Sequence, residues 1–109
     1  MNGCKLMLNT LGMARKAGKL IIGQDRVFSE SKRKHLVAIL TNDCSASVLR
    51  DAKACSERGD IQYITFESVD RYELGRRIGI NAAQIVALPM GDGFAGKILS
   101  LYDRSDADE

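Results

Sequence analysis

Residues 36–40 read "LVAIL", and that run decides the fold. Five consecutive apolar side chains leave no polar face, the pattern of a strand buried on both sides of a sheet. The basic segment Lys32-Arg33-Lys34-His35 precedes it and the polar loop "TNDCSAS" follows. The same pattern recurs further along the chain. "IQYITF" (Ile61–Phe66) is rich in β-branched and aromatic residues and reads as a second central strand. "IVAL" (Ile85–Leu88) reads as a third, stopped by Pro89, and Leu20–Ile22 as a short one.

The intervening segments carry helical spacing. Cys4, Met7, Leu8, Leu11 and Ala14 recur on one face of a first helix, and Gly18 is placed to stop it in a left-handed cap. Gly23 turns the chain into a short helix, "QDRVFSESKRK", with Gln24 or Asp25 expected to cap its start. Ser45 is the expected N-cap of "ASVLRDAKACSER", which buries Val48, Leu49, Ala52 and Cys55 before Gly59 ends it. Asp70 and Glu73 resemble a capping box opening a helix that runs to Ile78 and closes at Gly79. "GFAGKILSLYD" is the last helix, with Phe94, Ile98 and Leu101 on one face. Strands alternating with helices predict an α/β/α sandwich around a small mixed sheet. Tyr63, Phe66, Tyr72 and Phe94 are assigned to its core.

The chain has 109 residues, 45% of them hydrophobic and one of them proline, which fits one compact domain. Residues 1–102 are read as that domain and residues 103–109, "DRSDADE", as an acidic, flexible tail. Apolar runs are too short to span a bilayer. The N-terminal stretch is interrupted by polar residues and does not read as a signal peptide, which points to the cytoplasm. Cys4, Cys44 and Cys55 are widely spaced and His35 is the single histidine, so the ligand pairs of a zinc site are missing and reduced thiols are expected. The net charge is only +2, but residues 1–34 carry eight basic side chains against two acidic ones. That asymmetry predicts a basic face at one end of the molecule.

No nucleophile–base–orienter set is visible, and one histidine leaves few groups for acid–base work. The stretch "GDGFAGK" lacks the spacing of a phosphate-binding loop, with Ile98 after its lysine. No catalytic residue, metal or cofactor is expected.

Four stretches, "LGMARKAGKLIIG", "LVAILTNDCS", "RYELGRRIGI" and "IVALPMGDGFAGKI", together resemble the ribosomal-protein family of kink-turn RNA binders, named for the large-subunit protein L-seven-Ae. The likeness is greatest to its small bacterial stand-alone members and spans about Leu11 to Ile98. It implies a non-catalytic, monomeric module for a sharply bent RNA with tandem sheared G·A pairs, ribosomal RNA among the candidates. By that resemblance Gly23, Gln24, Asp25 and Arg26 face the G·A pairs. Lys19, Lys32 and Arg33 meet phosphate, while Ile80, Asn81, Ala82, Ala83 and Gln84 flank an extruded nucleotide. Where the family commonly has Asn or Glu, then Glu, then Lys one turn on, this chain has Gln24, Asp25 and Ser29, with Arg26 as a substitute cation. The competing reading is a protein–protein adaptor without RNA, and for Lys32-Arg33-Lys34 an ordinary solvated face.

Overall fold

The computed structural model describes residues 3–107. The elements run α1 (Gly3–Lys16), β1 (Ile21–Ile22), α2 (Gln24–Glu30), β2 (Leu36–Leu40), α3 (Ala46–Glu57), β3 (Ile61–Thr65), α4 (Arg71–Ile78), β4 (Ile85–Pro89) and α5 (Gly93–Ala107). The sheet order is β1-β4-β2-β3. β2 and β3 are parallel, and β4 runs antiparallel to both β1 and β2. The fold is the expected sandwich with a mixed sheet.

Side-chain alternation along β2 builds the two cores. Val37 and Ile39 face α1, α4 and α5, where they meet Leu11, Leu74 and Ile98. Leu36, Ala38 and Leu40 face the other way, toward Val27 of α2 and Val48 and Ala52 of α3. All five residues are fully buried, as an uninterrupted apolar run requires. Each Leu or Ile side chain so buried contributes about 1.5–3 kcal/mol of hydrophobic stabilisation.

Several caps follow directly from local chemistry. Ser45 Oγ accepts from the Val48 N–H at 3.2 Å. Asp70 Oδ1 accepts from the N–H groups of Tyr72 and Glu73 at 3.0 and 2.8 Å. Gly79 ends α4 in the left-handed conformation, φ 88°.

Four expectations change. Ile61–Phe66 is not central: β3 occupies an edge, and its burial alternates because Gln62 faces solvent. α2 stops at Glu30, and residues 31–34 form a turn rather than the end of a helix. There Ser31 turns its hydroxyl back on the Phe28 carbonyl at 2.8 Å. Tyr72 is not core: it is 61% exposed on α4. α5 continues as helix through Ala107, over the first five residues of the segment read as a tail, and residues 108–109 lie outside the described ones, as do Met1 and Asn2.

Candidate nucleic-acid interface

β1, β2 and β3 all end at the same edge of the sheet, where antiparallel β4 begins. In open α/β sheets the loops beyond the carboxyl ends of strands are where ligands gather. Four backbone and side-chain links stitch these loops together. The Gly23 N–H donates to the Ile85 carbonyl at 3.1 Å, and the Thr41 N–H donates to the Gln84 carbonyl at 3.0 Å. The Asn42 N–H donates to the Val69 carbonyl at 2.9 Å, and the Ser45 N–H to Gln84 Oε1 at 2.6 Å.

The result is an open concavity of about 280 Å³ lined by Ile22, Gly23, Gln24, Arg71, Ala82, Ala83, Gln84 and Ile85. It is smaller than the pockets of roughly 300–1,000 Å³ that enclose drug-sized ligands. Its two walls are the turn before α2 and the loop after α4. These are the two stretches that the sequence assigns to one surface, though 60 residues separate Gly23 from Ala83.

Gly23 is the N-cap of α2 and contributes no capping side chain, so neither Gln24 nor Asp25 caps the helix as expected. The reason is its backbone: φ 93° and ψ 150° lie in a region essentially reserved for glycine. The first-turn N–H groups of Gln24, Asp25 and Arg26 have no carbonyl one turn back, and no side chain among the described residues caps them. All three side chains are exposed.

The opposite wall is shaped by a glycine too. A Cβ on Gly75 would come within 2.7 Å of the Ala82 Cα and N and 2.9 Å of the Asn81 carbonyl carbon. The loop therefore lies directly on α4. Asn81 and Ala82 are exposed, whereas Ala83 is buried with its N–H bound to the Arg71 carbonyl at 3.0 Å. Ile80 packs partly into the core, and Gln84 is occupied with Ser45. Asn81 and Ala82 are thus the members of this loop that reach outward.

Arg71 was not singled out from sequence, yet it lines the concavity. Its Nε donates to Asp43 Oδ2 at 3.1 Å and its Nη2 to the Asp43 carbonyl at 2.6 Å, while its backbone N–H donates to Asp43 Oδ1 at 2.9 Å. Desolvation opposes ionisation of Asp43, but hydrogen bonds from Thr41 and from the Arg71 backbone and guanidinium outweigh it. The Asp43 carboxyl is held below its ordinary pKa. The only sequence signal for the pair is an arginine one residue after a helix cap.

The basic residues divide. Lys32 borders a groove with Gln24, Asp25, Phe28, Ser29, Ser47 and Asp51, next to the concavity. It also borders a second hollow with Arg33, Lys34, His35, Gly59 and Asp60 at the opposite end of the sheet. Arg33 and Lys34 both close on Glu30, at 3.3 and 3.2 Å. The hydrogen bond from Lys34, before the charges of Lys34 and Arg33, holds the Glu30 carboxyl below its usual pKa against a smaller opposing effect of burial. Lys19, Arg26 and Lys32 are exposed and form no ion pair among the described residues. Among the described residues no three His, Cys, Asp or Glu side chains cluster as metal ligands, and no helix is long and apolar enough to cross a membrane.

No family model matches the chain. RNA-binding protein YlxQ of Bacillus subtilis is 34% identical to it over 95 residues, covering 85% of this chain and 91% of that protein. The chain belongs to the YlxQ family. Two solved structures share the fold. One is a Bacillus halodurans protein of unknown function, with a TM-score of 0.79 and 23% identity over 89% of this chain and 96% of that one. The other is the Giardia lamblia 15.5kD RNA binding protein, with a TM-score of 0.72 and 18% identity over 94% and 88%. The YlxQ match and the second structure agree with the resemblance drawn from the "LGMARKAGKLIIG" and "RYELGRRIGI" motifs.

Proposed function

We propose that this YlxQ-family chain is a non-catalytic, cytoplasmic RNA-binding protein that acts as a monomer on kink-turn-like structured RNA in a ribosomal or other ribonucleoprotein setting. The observation that carries the reading is the concavity in which Gly23 and Gln24 face Ala82. The RNA-binding name of the Bacillus subtilis relative supports it.

The chemistry on this surface suits a bent RNA. A-form duplexes hide their base edges in a deep, narrow groove, and a bend that splays nucleotides out makes them readable. Gly23 lets the backbone come close. The uncapped N–H groups after it and the amide of Gln24 supply donors, and Asp25 supplies an acceptor. Ile80–Gln84 flank an extruded nucleotide, with Asn81 and Ala82 outermost, beside the anchored guanidinium of Arg71. Lys19, Arg26, Lys32 and Arg33 supply charge for the flanking phosphates.

The test is a pair of titrations, against a kink-turn RNA and a straight duplex of equal length. The wild type should prefer the kink-turn. Gln24→Ala should weaken kink-turn binding by about 1–3 kcal/mol, the worth of a base-edge contact, and leave duplex binding nearly unchanged. Equal wild-type affinities for the two RNAs would end the kink-turn reading and favour the adaptor.

A further inference from the structure

Tyr72 is the one exposed aromatic side chain among the described residues, at 61%. The other aromatics, Phe28, Tyr63, Phe66, Phe94 and Tyr102, are buried or half-buried. An exposed tyrosine beside a binding surface needs a reason, and its place on α4 supplies one.

The two flanks of α4 face different neighbours. Leu74 and Ile78 point into the core. Arg77 lies toward α1, its Nη2 donating to Asn9 Oδ1 at 2.8 Å and its carbonyl 3.2 Å from where a Gly12 Cβ would sit. Gly75 faces the other way, against Asn81 and Ala82. Residues three and four apart share a helix face, so Tyr72 shares the Gly75 flank and stands one turn before it, with Arg76 one turn after Tyr72. Side chains on a helix lean toward its N-terminus, which carries the Tyr72 ring toward the end where Arg71 lines the concavity. Arg76 is exposed and has no ion pair among the described residues. Of the two carboxylates nearest in sequence, Glu73 is half-buried and close enough to Cys4 of α1 to act on its thiol, and Asp70 has Oδ1 engaged by two backbone N–H groups.

We propose that Tyr72, flanked by Arg76, is a stacking platform for an unpaired nucleobase of the RNA bound at the Gly23–Ala82 concavity, extending that interface onto the outer flank of α4. The inference rests on the RNA reading above. The occupant is a base because the ring lies exposed one helical turn from Arg76 and next in sequence to Arg71, which lines the concavity. Any base presents a π-face, so the platform adds affinity with little sequence preference.

The experiment uses the full chain and a fluorescein-labelled kink-turn RNA, with and without unpaired nucleotides beside the bend, read by anisotropy. Tyr72→Ala should weaken binding to the RNA with unpaired nucleotides about tenfold, in the range of one lost base–aromatic stack. Tyr72→Phe should bind within twofold of wild type, since stacking needs only the ring. Irradiating the complex with 5-iodouridine at the unpaired positions should crosslink Tyr72, as located by mass spectrometry. That readout also decides the matter should the alanine variant fail to fold. A wild type that binds while Tyr72→Ala binds equally well, or a Phe variant as weak as Ala, overturns the platform and leaves the RNA reading standing. A wild type that binds neither RNA overturns both.

Discussion

The two ends of α2 differ in the opposite sense from what their charges suggest. The turn beyond its far end carries the densest basic run in the chain, Lys32 to His35, yet Arg33 and Lys34 both turn back on Glu30. Its near end has Gln24, Asp25 and Arg26, nearly balanced in charge, but it presents uncapped N–H groups and opens on a concavity. Counting cations in a sequence measures attraction at a distance. Recognition depends on which donors and acceptors remain unpaired after folding. Surface ion pairs such as those of Glu30 are weak individually, and they still reduce the net positive field that a phosphate would meet.

The sharpest way to break this contrast is Gly75→Ala, which disrupts the near end without touching a charge. Its Cβ would press on backbone atoms of Asn81 and Ala82, which cannot rotate away. Overpacking of that kind costs about 3 kcal/mol, and thermal or denaturant unfolding should show it. RNA affinity measured well below the melting range should fall as well, because the displaced loop forms one wall of the concavity. Next is Gly23→Ala. A Cβ there would meet open space, so the cost is conformational and amounts to about 1–2 kcal/mol from forcing φ 93° on an alanine. If melting is unchanged, the turn is adaptable and the near end is less rigid than its hydrogen bonds suggest. The smallest effects are expected at the far end. Lys32→Ala should lower the slope of log affinity against log salt by about 1, as for one lost phosphate contact. Arg33→Ala should lower it by less, because that guanidinium is already shared with Glu30. Equal slopes for the two variants would show that RNA draws Arg33 off its carboxylate.

What was legible in the sequence follows the range of the forces involved. Leu36–Leu40, the Ser45 and Asp70 caps and the left-handed Gly79 depend on neighbours within a few residues, so the sequence carries them openly. The edge position of β3 depends on which strand β4 pairs with, and nothing within Ile61–Phe66 reports that. The alternation at Gln62 was the available hint. The exposure of Tyr72 was hidden for the same reason, because α4 periodicity identifies an inner face but not what covers each flank. Arg71 became visible only when Asp43, 28 positions away, was seen to hold it. Lys32-Arg33-Lys34 looked helical because its residues are good helix formers, and the Ser31 hydroxyl on the Phe28 carbonyl marks where the helix gives way.

The strand order has a consequence for biosynthesis. β4 is the last strand to be made, yet it sits between β1 and β2, and its leading residues close the concavity. A chain leaving the ribosome can pair β2 with β3 early, since α3 alone separates them. β1 then waits for its neighbour β4 until Ile85–Pro89 emerge, several seconds later at about 5–20 residues per second. A nascent chain arrested before Ile85 therefore holds both walls of the concavity but lacks the strand that ties the Gly23 turn to them, and the concavity closes only once β4 has been made.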